Sequence, residues 1–298
     1  MTILVAGSAN LDFVVRAAHI PAPGETVLGR DFRTYPGGKG ANQAIACARA
    51  GGAATRMLLA LGPDAHALPI EASLAAAGVQ LHVLRTAGEP TGCAFICVSD
   101  DAENAITVAP GANALLRAEH LPALAGVSHL LLQLETPIDT VLAYAQAARA
   151  AGVTVVLNAA PAQALPAALL DAVDLLVVNE GELAAISGSS GDLDAALARI
   201  AVPTVVVTLG ARGCIARSRG GSVQVPAFAV NPVDTTAAGD TFCGTLVAAL
   251  SRGAVLHDAL RRASAAGAIA CTRAGAQASI PTEAEVDAFL LNAPPALR

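Results

Sequence analysis

Short apolar runs set the rhythm of the middle of the chain. Residues 129–134, 153–158, 174–179 and 203–209 are dominated by Val and Leu. Each is too short for a globular helix and is bounded by turn or polar residues, so each reads as a buried strand. Helix-patterned stretches separate them: 137–151, closed by Gly152, one near 166–171, one holding Glu182, and 192–200. Strands that are apolar on both sides and alternate with helices predict an α/β fold with a mostly parallel sheet covered on both faces. Upstream, 3–6 and 55–62 read as further strands, a helix from residue 37 stops at Gly51 and Gly52, and 66–77 is helical. The β-type pieces at 13–35, broken by Pro21 and Pro23, and those at 91–98 and 104–109 do not fit this rhythm, nor does 81–85 extend it into another helix. They predict a small separate β-sheet, a lid over the strand ends built from roughly 12–36 and 91–109. No linker or repeat divides residues 1–298, which are expected to form one domain.

Composition narrows the partners. Hydrophobic residues are 54% of the chain and charged residues 14%, enough for a sizeable, alanine-rich core. The longest uncharged run, 150–170, contains Gly152, Asn158, Pro161, Gln163 and Pro166, so it is a strand, a loop and a helix start rather than a membrane span. The opening MTILVAGSAN lacks a basic leader, and the six cysteines form no CxxC, which together predict reduced thiols and a cytoplasmic location. The six histidines never fall three or four residues apart, which disfavours a histidine metal site. Net charge is −6 and Arg261–Arg262 is the only adjacent basic pair, so neither nucleic acid nor membrane is an expected partner.

Candidate chemistry gathers at the strand ends, where parallel sheets bind ligands. Asn10 and Asp12 follow the first strand, and Glu135, Asn158, Asn179, Thr208 and Gly210 sit at the ends of later ones. Any one of these alone reads first as a loop residue or helix cap; it is their coincidence along one edge that points to a site. Lys39, inside PGGKGANQA, is the only lysine in the chain, although 18 residues are Lys or Arg. A compact ammonium is therefore placed where composition would supply a guanidinium. At 237–240, Ala-Ala-Gly-Asp opens a helix, whose first amides form an anion site that small residues leave open. Asp240 adds a carboxylate to that space. An aspartate is a weak base, yet it accepts a proton late in a loose phosphoryl transfer. No GxxxxGK[ST], GxGxxG or GxSxG pattern occurs, which argues against P-loop, dinucleotide and serine-hydrolase chemistry.

These stretches match a family. GGKGANQA at 37–44 and DTTAAGDTFCG at 234–244 are similar to the two signatures of the ribokinase-like (PfkB) sugar kinases. NLD (10–12), PGET (23–26), PGANA (110–114), QLETP (133–137), NEGE (179–182), TLGARG (208–213) and TRAGAQASIP (272–281) follow the family order along nearly the whole chain. The resemblance implies a three-layer α/β/α fold with a β-lid, shared across a homodimer, and transfer of the ATP γ-phosphoryl group to the 5-hydroxyl of D-ribose. It makes Asp240 the base and Ala237, Ala238, Gly239 and Asp240 the anion hole. It gives the sugar to Asn10, Asp12, Gly38, Lys39, Asn42, Glu135 and Asp240, and ATP to Asn179, Thr208, Gly210 and Gly213. Glu182 would act on Mg²⁺ through water. Asp234, Thr236, Ala270, Arg273, Gly275 and Ser279 would form a potassium loop, mostly through carbonyls. Other pentoses, deoxyribose and nucleosides are the alternative substrates, and a non-catalytic sensor is the alternative class. Three positions depart from the family pattern: the turn GPDAHA at 62–67, Ala159 in LNAAP, and Ser264 on the adenine side.

Overall fold

The computed structural model describes residues 1–101, 103–189 and 191–292, so residue 102 of the expected lid and the last residues of the expected domain lie outside it. Among the described residues, thirteen strands form two sheets. The first half of the chain supplies β1 (Thr2–Ala6), β2 (Asn10–Arg16), β3 (Arg30–Gly37), α1 (Lys39–Ile45), β4 (Ala54–Leu61), α2 (Ala67–Ala76), β5 (Gln80–Arg85), β6 (Gly92–Val98) and β7 (Asn104–Ala109). The second supplies β8 (Val127–Leu132), α3 (Ile138–Ala150), β9 (Thr154–Asn158), α4 (Ala167–Asp171), β10 (Leu175–Asn179), α5 (Glu180–Ser187), α6 (Leu193–Ala198), β11 (Thr204–Thr208), β12 (Cys214–Ser218), β13 (Gly221–Val225), α7 (Ala238–Ser251), α8 (Leu256–Cys271) and α9 (Glu283–Asn292).

The large sheet runs β13-β12-β11-β10-β9-β8-β1-β4-β5. Every pairing is parallel except those of the β12–β13 hairpin at one edge. Alternate side chains of one strand enter different cores. Ile3 and Val5 pack with α1, α2, α7 and α8, while Leu4 and Ala6 pack with α3 and α4. This three-layer arrangement is what the apolar runs predicted. The small sheet, β3-β2-β6-β7, takes in both stretches that broke the rhythm. It starts at Asn10 rather than near residue 12. The departing turn at 62–67 is tied to its base: Asp64 accepts the amide of Thr91 (2.7 Å) and Gly62 N–H donates to Thr91 Oγ1 (3.0 Å).

Two helices, α1 and α7, lie closer together than most side chains allow. A Cβ on Gly244 would stand 2.5 Å from the carbonyl oxygen of Gln43 and 2.6 Å from Ala46 Cβ. One on Gly51 would stand 2.1 Å from Ala248 Cβ. The Cys47 thiol donates to the Gly244 carbonyl across the same seam (3.3 Å). At its far end α1 widens into a π-type turn over Ala46–Ala50, closed by Gly51 N–H on the Ala46 carbonyl (3.0 Å). Overpacking such a contact costs about 1–3 kcal/mol or more. Gly244→Val is therefore expected to lose about 3 kcal/mol of unfolding free energy, read from a urea melt, whereas Gly253→Ala, in an open turn at the end of α7, is expected to lose about 1 kcal/mol through its positive φ alone.

Candidate active site

The strand order reverses beside β1, which lies between β4 and β8. The residues that leave β1 and β8 at this switch point meet α1. No side chain of its own caps α1. Instead Lys39 N–H donates to Glu135 Oε2 (3.1 Å), Gly40 N–H to Ser8 Oγ (3.3 Å) and Ala41 N–H to the Ser8 carbonyl (2.9 Å). Ser8 Oγ–H in turn donates to Glu135 Oε2 at 2.5 Å. The first turn of α1 is thus satisfied by protein groups. Gly40 permits it, because a Cβ there would lie 2.6 Å from Ser8 N, and Gly38 turns the chain with φ +89°.

The polar residues expected to hold a sugar converge here. Asn10 and Asp12, at the start of β2, are almost fully buried. Asn113 Nδ2 donates to Asn10 Oδ1 (2.8 Å), and the Asn113 oxygen accepts Ala9 N–H (3.0 Å). Asn113, in the PGANA stretch, carried no role in the sequence. Asp12 lies against Gly37, where a Cβ would be 2.1 Å from its Oδ2. Burial, then the charges of Glu135 and Asp240, push the Asp12 carboxyl up to about 7. Lys39 is held above its ordinary value, chiefly by Asp240, against the opposing effect of burial, with Glu135 and Glu182 adding to the rise. Asn42 Nδ2 donates to Asp240 Oδ2 (2.9 Å), while its buried Oδ1 has no partner.

Asp240 stands in the first turn of α7 and is buried. Its other oxygen, Oδ1, accepts Gln43 Nε2 (2.9 Å). Gln43 lies inside the GGKGANQA stretch, but nothing in its spacing announced this bond. Ala237, just before α7, is left-handed with φ 58°. The Ala238 amide donates to the Thr235 carbonyl (3.2 Å). Among the described residues the amides of Gly239 and Asp240 have no such partner. A Cβ on Gly239 would meet nothing within 4 Å, so the space in front of these amides is open. The contrast with α1 is direct: one helix end is capped by protein, the other faces a cavity.

That cavity has a volume of about 620 Å³. Thr208, Gly210, Gly213, Ala238, Gly239 and Ser264 line it. Phe228 and Phe242, which the motifs did not single out, supply aromatic wall. Asn179 is outside this wall. Its Oδ1 accepts Glu182 N–H (2.8 Å) and its N–H donates to Glu182 Oε2 (2.8 Å), a reciprocal cap on α5. Burial raises the Glu182 carboxyl, an effect the Asn179 amide and the Lys39 charge oppose and the Asp240 charge reinforces. No cluster of three or more His, Cys, Asp or Glu is placed to hold a metal among the described residues. A divalent ion kept mainly by phosphate oxygens and water, rather than by a cluster of side chains, fits this donor set.

The expected cation loop is partly knit together. Asp234 Oδ1 accepts Thr236 N–H (2.8 Å) and Oδ2 accepts Gly275 N–H (2.9 Å). Burial pushes the Asp234 carboxyl up, but the bonds from Thr236 and Gly275 hold it below its usual value. Arg273 N–H donates to the Ala270 carbonyl (3.2 Å), and the Arg273 side chain pairs with Glu285 (2.6 Å). Ser279 is buried and donates to the Ala276 carbonyl (2.7 Å).

Comparison with known proteins identifies the family. The family model for pfkB family carbohydrate kinases matches residues 2–283. The chain is 40% identical to a ribokinase of Haemophilus influenzae, covering 98% of this chain and 99% of that protein. A ribokinase structure from Thermotoga maritima superposes with a TM-score of 0.89 at 37% identity, over 98% of this chain and 99% of the other. The structure of Arabidopsis thaliana ribokinase complexed with ribose and ATP superposes with a TM-score of 0.88 at 33% identity, over 97% and 98%. With a buried aspartate at an uncapped helix end and this likeness along its whole length, the chain belongs to the pfkB family of carbohydrate kinases.

Proposed function

We propose that this protein is an ATP-dependent ribose kinase that transfers the γ-phosphoryl group to the 5-hydroxyl of D-ribose. The observation that carries the reading is the pairing of Asp240 with two unpartnered amides at the mouth of α7. Asp240 takes the hydroxyl proton as the O–P bond forms, and the amides of Gly239 and Asp240 stabilise the transferring oxygens. Ala237 and Ala238 shape this anion hole. Asn10, Asp12, Gly38, Lys39, Asn42 and Glu135 hold the sugar, and the unpartnered Asn42 Oδ1 accepts a sugar hydroxyl. Thr208, Gly210 and Gly213 border the nucleotide, with Asn179 at the phosphate end. Glu182 would help hold Mg²⁺ through water, and the ion would supply positive charge to offset that of the nucleotide phosphates.

The loop of Asp234, Thr236, Ala270, Arg273, Gly275 and Ser279 binds K⁺. The face of the small sheet that carries Asp12 also carries Val14, Ile96, Ile106 and Val108. Ile106 and Val108 are 55% and 41% exposed, a surface suited to the same sheet of a second copy in a homodimer. Among the described residues no helix is long and apolar enough to cross a membrane.

ADP release from Mg-ATP with D-ribose, 2-deoxyribose, arabinose, xylose, fructose and adenosine, each with and without K⁺, tests the reading. Strong turnover on ribose that K⁺ enhances is expected. Turnover only on another sugar would move the substrate, and ribose turnover indifferent to K⁺ would remove the cation loop. Asp240→Asn is expected to bind ribose and ATP normally in calorimetry while kcat falls by about 10³-fold or more. Near-normal turnover there would remove Asp240 as the base.

Asp12 gives a pH signature. Its carboxyl is raised to about 7 in the free protein, so it is largely protonated below that pH. Sugar hydroxyls donate to the ionised form, and binding must then expel the proton. The KM for ribose is expected to be flat above about pH 8 and to climb up to about tenfold per unit below pH 7. The sign for stability is opposite: folding takes up a proton between the unfolded value and about 7, so Asp12 destabilises the fold as pH rises through 7. Asp12→Asn should raise the Tm of the ligand-free protein at pH 8 and leave it unchanged near pH 4; a flat KM profile or an unchanged Tm at pH 8 would contradict the assignment.

A further inference from the structure

Behind Asp240 lies a row of buried amides that the roles above do not use. Gln133 follows β8, Gln43 is in α1 and Asn158 ends β9. Gln133 and Gln43 are 0% exposed and Asn158 is 7% exposed. Gln133 Nε2 donates to Gln43 Oε1 (2.7 Å). Gln43 Nε2 donates twice, to Asn158 Oδ1 (2.8 Å) and to Asp240 Oδ1 (2.9 Å). Asn158 Nδ2 donates to the backbone carbonyl of Val177 in β10 (3.1 Å).

A side-chain amide has one donor end and one acceptor end, so orienting one orients the next. The Val177 carbonyl only accepts. It fixes the NH₂ of Asn158 toward β10 and its oxygen toward Gln43. That oxygen fixes the NH₂ of Gln43, whose second N–H then falls on Asp240. Gln133 secures the opposite end of the same amide. Turning Gln43 over would set its oxygen against the Asn158 oxygen and the Asp240 carboxylate, and its NH₂ against that of Gln133. Gln133 has room for this pose because residue 7 is glycine: a Cβ there would lie 1.9 Å from Gln133 Oε1.

The two oxygens of Asp240 are thereby made unequal. Oδ1 is tied inward to fully buried Gln43, while Oδ2 is held by Asn42, whose own oxygen has no partner. We propose that Gln43 is a positioning residue for phosphoryl transfer, oriented by Gln133, Asn158 and the Val177 carbonyl, and that its hold on Oδ1 makes Oδ2 the atom that receives the proton. In that step the sugar O–H bond breaks and its proton passes to Oδ2. The freed electron pair forms the new O–P bond, and the γ-phosphorus–oxygen bond breaks with its pair leaving on ADP. The proposal rests on Asp240 being the base.

Gln43→Met keeps length and burial but removes the donors and the acceptor. Since Gln43 acts through Asp240 and not on a ligand, kcat is expected to fall on the order of 10–100-fold with KM for ribose and ATP nearly unchanged. Gln133→Met should give a smaller kcat loss. Because Gln133 acts through Gln43, the double variant should match Gln43→Met rather than multiply the two losses. Normal kcat in folded Gln43→Met, a loss confined to KM, or multiplying losses would each overturn the proposal. If Gln43→Met does not fold, Gln133→Met alone decides: lowered kcat at constant KM supports the relay, unchanged kcat overturns it. Wild-type turnover beside an inert Asp240→Asn protein shows the base assignment standing, so that a normal Gln43→Met would then fail this proposal alone; a wild type without turnover on any sugar would fail both.

Discussion

The site depends on how closely α1 approaches α7. Asn42 and Gln43 come from one helix and Asp240 from the other, far apart in sequence, and their hydrogen bonds require the two backbones to sit nearly in contact. Gly244 lies against the Gln43 carbonyl, and Gly51 against Ala248. Alanine and glycine at a helix seam bury little area each, but they remove the side-chain spacer that would hold the axes apart. The high alanine content is in this respect functional. A larger residue at Gly244 would widen the seam and draw both amides off the carboxylate together, so packing in the core and geometry at the site are one constraint.

Charge explains the rest of the layout. Asp240, Glu135 and Glu182 act on Lys39, and Asp12 lies within reach of Glu135 and Asp240. Burial first, then the charges of Glu135 and Asp240, raises the Asp12 carboxyl; burial raises that of Glu182; and attraction to Asp240 holds the Lys39 ammonium above its ordinary value. Such a cluster does not attract a nucleotide by net charge, and the chain as a whole is acidic. Attraction for phosphate has to be local, and the uncapped amides of α7 are suited to it. A divalent ion carried in with the phosphates would offset carboxylates that protein cations leave unbalanced. Lysine suits position 39 for a related reason: its amine is a compact point charge reached by several carboxylates, whereas a guanidinium would spread over one of them.

The parallel strands were legible because burial on both faces writes the same apolar run into each. The β12–β13 hairpin and α8 were not singled out. The hairpin is at a sheet edge, where half-buried Arg217 and exposed Gln224 dilute the apolar signal, and its turn at Gly220–Gly221 looks like any loop. Asn10, Asp12, Glu135, Thr208 and Asp240 could be picked out because strand ends and helix starts are positions with a chemical meaning of their own. The buried amides were different. Asn158 was visible as a polar strand end without a role, and Gln43, Gln133 and Asn113 gave no signal, since an amide's role is set by its partners and those come from distant elements. The pair Asn179 and Glu182 shows the converse. The family resemblance implied ligand roles for both, and in the structure the two also build a reciprocal helix cap.

The left-handed turn at Ala237 joins the two halves of the phosphate end. A non-glycine residue in that conformation carries strain of about 1 kcal/mol or more, so its surroundings must hold it. On one side stands α7, fixed by its buried face. On the other, the chain is pinned by Asp234, whose two oxygens take amides from Thr236 and Gly275, while the Cys271 carbonyl receives the amides of Val233 and Asp234 at 2.7 and 3.2 Å. Asp234 therefore works first as a clamp between two loops. Its carboxylate is already engaged by amides, so a monovalent cation bound there would add to the clamp rather than create it. Its effect would reach the first turn of α7 through the shape of residues 235–239.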